Sequence, residues 1–361
     1  MIKTIKLKGF RSFYEEEISL LPLSVIVGRN GSGKSTLVDS LLFIKDMASS
    51  GVSVALARRG GFDAVKSMKL EEEGFTIDIN CDCFSYEVLV KRNCIEEEVN
   101  YVDKFFKSCD GAVYKCLDGN MVYWGGDPSL EKDSIVWHSR GEGGIDELGL
   151  LELSVFPEYI GHFDIQPFLI KREQKIEGDY INEDGTNLPY ILFNMFLNEK
   201  EKAKDFLYIV RDFLPWVKKI EVQYISSLSM HTLIVEDKYA GGKIPLSGIS
   251  EGTLGIFATI LALYFTPYKI LIFEELGKYI HPLLVGRLIE HMKEMVDDKQ
   301  IIITTHSPHV LDHVPLENVL LVVRNNNGHS HVYKPSEMEA IVQFLSHDIS
   351  LSELMEEGII P

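Results

Sequence analysis

The sequence predicts an α/β fold, a largely parallel buried sheet flanked by helices, with an antiparallel β lobe and a helical segment inserted. Three observations carry that expectation. The stretch "VIVGRNGSGKSTLVDSLL", from Val25, sets an apolar strand, a glycine-rich loop and an apolar helix in immediate succession. The runs "KILIFEE" (269–275) and "KQIIITTHS" (299–307) are short and apolar, with carboxylates or Thr and His at their C-terminal ends. Buried parallel strands have this composition, and ligands sit at their carboxyl ends. Residues 47–150 change character, being rich in Glu, Gly, Tyr and Cys, with β-like runs such as "FTIDINCDCFSYEVLVKR" and "GAVYKCLDGNMVYWGG".

In chain order, "MIKTIKLKGF" alternates polar and apolar residues and predicts a strand, and "FRSFYEEEISLLPLSVIVG" predicts a hairpin leading to the strand that feeds the loop. The β lobe follows over 47–150. Residues 187–214, "NLPYILFNMFLNEKEKAKDFLYIVRDFL", carry apolar residues at helical spacing, with Asn187 as the expected cap. "IEVQYI" and "HTLIVED" predict strands, and from Ser250 the order is helix, strand, helix, strand, helix. The half from 245 to 361 therefore holds the second set of functional segments. Repeats, low-complexity tracts and long heptad runs are not evident, so no coiled-coil arm is expected.

The chain has 361 residues, 45% hydrophobic and 25% charged, the profile of a soluble globular protein. A net charge of −18 argues against a surface coated for DNA or anionic membrane, since phosphate contacts need cations. The N-terminus has no apolar signal-peptide core. The longest apolar stretch, Leu254 to Phe265, is far short of the ~20 residues of a membrane span and predicts a buried helix. A cytoplasmic protein with no membrane partner is expected. The five cysteines, Cys81, Cys83, Cys94, Cys109 and Cys116, lack a zinc spacing and are expected reduced in the β insert.

Four motifs carry chemistry. Gly28-Arg29-Asn30-Gly31-Ser32-Gly33-Lys34-Ser35 has the phosphate-loop spacing and runs on into Thr36. Glycines turn backbone N–H groups toward phosphate oxygens, and the helix adds its positive end. Lys34 reaches the β- and γ-phosphates of a nucleotide, and Ser35 ligates Mg²⁺. Glu274 and Glu275 directly follow a buried strand, where one carboxylate serves the metal and the next activates water. His306 ends another such strand, positioned for a γ-phosphate contact; alone it would be a structural histidine. Ser250-Glu251-Gly252-Thr253 opens a long apolar helix with Ser as N-cap, an anion site or an ordinary cap.

In order and content these motifs resemble ATP-binding-cassette ATPases, and more closely the SMC/RecF/OLD-like class, the AAA-annotated bacterial ATP-binding proteins without long coiled coils. "IKLKGFRSF", "VGRNGSGKSTLVDSL", "LARRGGFDAV", "NEDGTNLPYIL", "LSGISEGTLGIFATILAL", "FEE…IHP", "TTHSPHVLD" and "LSELMEEGIIP" are similar to segments of that family across nearly the whole chain. The resemblance implies one P-loop NTPase domain over 1–361, an ABC-ATPase-like head. It also implies a head-to-tail homodimer with ATP between the phosphate loop of one subunit and Ser250–Thr253 of the other. By resemblance, Lys34 and Ser35 bind phosphate and Mg²⁺, Glu274 assists the metal, Glu275 activates water, His306 senses the γ-phosphate and Gln166 is a weak candidate for the glutamine loop. One departure stands out: many relatives follow the two glutamates with Pro-Glu-Asn-Gly, whereas this chain has Leu276-Gly277-Lys278-Tyr279 before Ile280-His281-Pro282. The altered loop suggests slow hydrolysis.

The function these readings favour is an ATP-gated switch in phage defence or genome maintenance, acting on DNA or on a separate effector such as a nuclease or toxin. The alternative is the ATPase subunit of a membrane transporter, which the β insert and the unfamiliar signature oppose. A self-contained nuclease is disfavoured, because about 55 residues follow His306, well under the ~100 of a usual domain. Arg58-Arg59, Lys171-Arg172 and Lys218-Lys219 are candidate nucleic-acid contacts, though such pairs are more often solvated surface.

Overall fold

The computed structural model describes residues 1–67, 74–82, 84–92, 159–172, 177–345, 347 and 350–357, together with the backbone of strands Tyr101–Ser108, Val113–Leu117, Asn120–Trp124 and Val136–His138. The chain divides into two compact units. One comprises Met1–Ile160 and Leu320–Met338, the other Gly161–Val319 and Glu339–Ile360.

In the first unit the expected hairpin forms from Ile2–Phe10 and Phe13–Ser19, paired antiparallel. The first strand alternates buried Ile5 and Leu7 with outward lysines, as a half-buried strand should. It also pairs with Gly74–Cys81, which pairs with Phe84–Lys91. The antiparallel ladder then continues strand by strand to Val136–His138. Phe10, Phe43 and Phe75 meet edge-to-face at 5.5–6.0 Å and lock the helix Lys34–Ser50 onto this sheet. The fully buried strand Leu23–Val27 lies beside Val319–Arg324, itself paired antiparallel with Ser330–Tyr333. Residues Leu320–Met338, which include most of these two strands, thus belong to the first unit.

The β-rich lobe does not start at residue 47. The phosphate-loop helix runs to Ser50, and Val52–Ala57 and Phe62–Val65 are also helical. Strand structure starts at Gly74. The short helices are interrupted by Gly51, Gly60 and Gly61, all at positive φ, which breaks the helical period that would have revealed them. Cys81 is half-buried. The other four cysteines and the expected lobe boundary at 150 lie outside the residues whose side chains are described.

In the second unit the helix Glu251–Tyr264 is buried at every residue from Thr253 to Leu263. It is apolar all round because it is core. Among the described residues no helix is long and apolar enough to cross a membrane. Strands Ile270–Phe273 and Gln300–Thr304 are wholly buried and pair in parallel, as their sequences predict. Strands Val217–Ile225 and Met230–Asp237 form a meander with Lys243–Pro245.

Residues 187–214 form two helices, Leu188–Asn198 and Lys200–Phe213, broken at Glu199, whose φ of −127° and ψ of 61° leave helical geometry. Asn187 does not cap the first by its side chain. Its Nδ2 donates to the Tyr180 carbonyl at 2.8 Å and its Oδ1 accepts from the Asn182 N–H at 2.9 Å, closing the preceding loop.

Lys299 closes the far end of the core helix. Its Nζ is buried and donates to the carbonyls of Leu263 and Thr266 at 2.7 and 3.1 Å. Burial, reinforced by the charge of Lys269, pulls its pKa down from 10.5 to about 8. The unfolded chain therefore holds this proton over a pH range in which the folded one has released it, and stability rises with pH across that window. Relative to Lys299→Met, the wild type should gain roughly 2 kcal/mol between pH 8 and 10, read from urea midpoints. Parallel pH profiles for the two proteins would contradict this.

Candidate nucleotide site

In the first unit the strand Leu23–Val27 delivers the chain into the glycine-rich loop. Gly28, Gly31 and Gly33 have φ of 152°, 75° and 120°, values that L side chains rarely adopt. Space is closed as well: a Cβ on Gly28 would lie 2.3 Å from the Val322 carbonyl oxygen, and one on Gly33 would lie 2.4 Å from Ser330 Oγ. Ser330 Oγ reaches both the Ser32 carbonyl and Ser12 Oγ, so the hairpin tip and the strand Ser330–Tyr333 brace the loop. Sequence reasoning missed Ser12 and Ser330, which lie 318 residues apart.

The Lys34 side chain is buried, and Nζ donates to the carbonyls of Gly28 at 3.0 Å and Arg29 at 3.3 Å, inside the loop's curl. The helix begins at Lys34 after Gly33, with no side-chain cap and no acidic residue in its first turn. The N–H groups of Lys34, Ser35 and Thr36 are thus at an uncapped, positive helix end. Ser32 Oγ is buried and has no hydrogen-bond partner among the described residues. A loop with an orphaned buried hydroxyl, no space for a side chain at Gly28 or Gly33 and an uncapped helix start fits a polyphosphate. Ser35, Arg29 and Asn30 are exposed at its mouth.

Behind the loop helix, Asp39 pairs with Arg11 at 2.9 Å and Arg59 at 2.7 Å, while Asp46 pairs with Arg59 at 2.7 Å and with Arg58. Arg59 is only 6% exposed. Arg59 therefore serves the fold, while Arg58 is exposed beside Asp46. Lys218 and Lys219 are likewise engaged, with Glu236 at 2.6 Å and Glu221 at 2.9 Å. The Arg172 guanidinium stacks over Phe168.

In the second unit the turn after the strand Ile270–Phe273 is held on both sides. The Glu274 N–H donates to the Phe163 carbonyl at 2.8 Å, and the Leu276 N–H to the Thr304 carbonyl at 3.0 Å. Between them Glu275 takes a φ of 52°, uncommon for a non-glycine residue, with its N–H on Thr304 Oγ1 at 3.2 Å. This backbone directs Glu275 Oε1 to 3.3 Å from His306 Nε2. The structure brings these two predicted residues together, the carboxylate of one against the ring of the other.

Ser250 is the N-cap its sequence predicts: its Oγ accepts from the Thr253 N–H at 3.1 Å. Glu251 is exposed in the first turn. Gly252 has a steric reason: a Cβ there would lie 2.9 Å from the Tyr279 carbonyl oxygen. The signature turn thus rests on the altered Leu276–Tyr279 loop. The Tyr279 hydroxyl donates to Gln166 Oε1 at 3.1 Å, and Gln166 Nε2 donates to Asp164 at 2.6 Å. Burial and the nearby Glu274 push the Asp164 carboxyl up, against that hydrogen bond.

Sequence reasoning also missed His162. Its Nε2 is 2.7 Å from Glu274 Oε1 and its Nδ1 2.9 Å from Glu183 Oε1. Burial works against its charge, but the two carboxylate hydrogen bonds prevail and raise its pKa to about 9. No group of three or more metal-binding side chains occurs among the described residues. Mg²⁺ commonly takes one or two protein oxygens, with phosphate and water supplying the rest.

Comparison with known proteins bears on both units. Residues 1–110 match the family described as "AAA ATPase domain", and residues 165–312 the family described as "AAA domain, putative AbiEii toxin, Type IV TA system". Over 77 residues the chain is 35% identical to the DNA replication and repair protein RecF of Clavibacter sepedonicus, and equally to RecF of Clavibacter michiganensis subsp. michiganensis. Each match covers 20% of this chain and spans about a fifth (19%) of the RecF length. The solved structure of an SMC head bound to the C-winged helix domain of ScpA superposes with a TM-score of 0.54, at 16% identity, covering 92% of this chain and 97% of that one. The fold is that of an SMC-type head. AAA-type matches at both functional segments, an SMC-head fold and a RecF-like stretch together support an SMC/RecF-like class of ATPase.

Proposed function

We propose that this chain is an ATP-binding, slowly hydrolysing switch that dimerises head-to-tail on ATP and regulates a separate, DNA-acting or effector partner in phage defence or genome maintenance. The observation that carries the reading is the phosphate loop, with its three positive-φ glycines and the unpartnered Ser32 hydroxyl. Lys34 and the first-turn N–H groups hold the phosphates. Mg²⁺, when bound through Ser35 and Glu274, supplies charge neutralisation at the phosphate oxygens. Glu275 accepts the proton of the attacking water, and His306 fixes the carboxylate's direction. Ser250 to Thr253 offer the start of the long helix, with Ser250 as its cap, to the partner copy's nucleotide. The whole chain is read as one working ATPase, with the β lobe or residues 187–214 as the surface a partner senses.

Two names support the biological setting. RecF acts in DNA replication and repair, and the solved SMC head is bound to a domain of ScpA. ATP can drive such a switch only through its differential affinity for open and closed states, which a dimer sandwiching nucleotide provides.

Ser250→Arg should leave ATP binding intact but abolish ATP-dependent dimerisation, because it places bulk and positive charge at the helix start that meets the partner's nucleotide. Light scattering with and without ATP reads this; a variant that still dimerises would remove the signature role. The purified chain should hydrolyse ATP modestly and leave DNA intact. Robust Mg²⁺-dependent cleavage, abolished by a point mutation in this chain, would favour a self-contained nuclease instead.

A further inference from the structure

We propose that His162 is the positioning residue of the Glu274 carboxylate, an inference that rests on the metal-assisting role given to Glu274 above. The ring is 8% exposed and engaged through both nitrogens, with Nε2 on Glu274 and Nδ1 on Glu183. An ordinary buried histidine needs one acceptor. Here the second is supplied by a loop built to present it.

That loop, residues 182–187, is tightly cross-bonded. Asn182 Nδ2 donates to Thr186 Oγ1 at 2.8 Å, and the Thr186 hydroxyl donates to Asp184 at 2.6 Å. It is also joined to the segment that carries His162: the Asp164 N–H donates to the Glu183 carbonyl and the Gln166 N–H to the Asp184 carbonyl, both at 2.9 Å. The backbone of Glu183 is therefore fixed relative to the ring it grips.

On the other side, the Glu274 N–H donates to the carbonyl of Phe163, the residue after His162. Donor ring and acceptor carboxylate are thus set by neighbouring backbone, not by flexible side chains alone. His162 takes Oε1 of Glu274, and no described residue bonds Oε2. The carboxylate is held by one oxygen and presents the other. Such a partner fixes a metal-assisting carboxylate in orientation before the metal arrives.

Two substitutions in the full chain separate positioning from packing. His162→Gln places an amide N–H near the position of Nε2 and keeps a donor for Glu274. His162→Asn reaches only the position of Nδ1, toward Glu183. The probe is a fluorescent ATP analogue, with affinity measured in EDTA and in saturating Mg²⁺ alongside kcat and thermal midpoint. Affinity in EDTA should be the same in all three proteins. The gain in affinity on adding Mg²⁺ should persist in His162→Gln and shrink about tenfold in His162→Asn, with kcat following the same order. A full Mg²⁺ gain in His162→Asn would overturn the proposal, and so would equal losses in both variants that track the thermal midpoint. A wild type that binds no nucleotide would overturn the parent reading, and is recognised in the wild-type arm alone.

Discussion

Lys34→Ala is expected to bind ATP roughly 30- to 150-fold more weakly than the wild type while remaining folded. The estimate follows from losing charged hydrogen bonds to phosphate, at about 2–3 kcal/mol. The structure adds a second consequence. Lys34 Nζ ties the carbonyls of Gly28 and Arg29, so the variant also loses a brace inside its own loop. A drop of about 1–2 kcal/mol in stability should accompany the loss of binding. Circular dichroism and equilibrium titration with a fluorescent ATP analogue measure both. Wild-type affinity in the variant would remove phosphate binding from the loop.

Glu275→Gln should bind ATP normally and hydrolyse it ~10²–10⁴-fold more slowly, the usual effect of removing a general base. Gln is isosteric and asks nothing new of the backbone, which already holds position 275 at a φ of 52° through Thr304. Loss of rate without loss of binding therefore isolates the chemistry. Single-turnover hydrolysis is the measurement. Unchanged turnover would shift the role of base to Glu274 or His306.

Local chemistry was legible in the sequence. A phosphate loop is eight consecutive residues whose spacing is its geometry, so Gly28 to Ser35 could be placed by inspection. The strands Ile270–Phe273 and Gln300–Thr304 were legible because a strand buried on both faces must be apolar throughout. Ser250 was legible as a cap because a hydroxyl three residues before a free N–H has one good use at a helix start.

Contacts between distant segments were not legible. His162 looks like any histidine on a short strand until Glu274, 112 residues later, comes within 2.7 Å. Ser330 has no motif, yet it fills the space that keeps position 33 a glycine. Helical structure at 47–65 was hidden by glycines that cut it into pieces too short for a period. Asn187 had the right residue type and position for a cap, but the Tyr180–Asn187 loop claimed its side chain. In each case a tertiary partner decided the outcome over local preference.

The central claim is that nucleotide closes two copies of this chain on each other. Its most direct test is sedimentation velocity on Glu275→Gln, which should hold ATP without consuming it. With Mg²⁺ and ATP the variant should sediment as a dimer, without nucleotide as a monomer, and Lys34→Ala should stay monomeric in both conditions. A Glu275→Gln protein that is saturated with ATP and still sediments as a monomer would contradict the account.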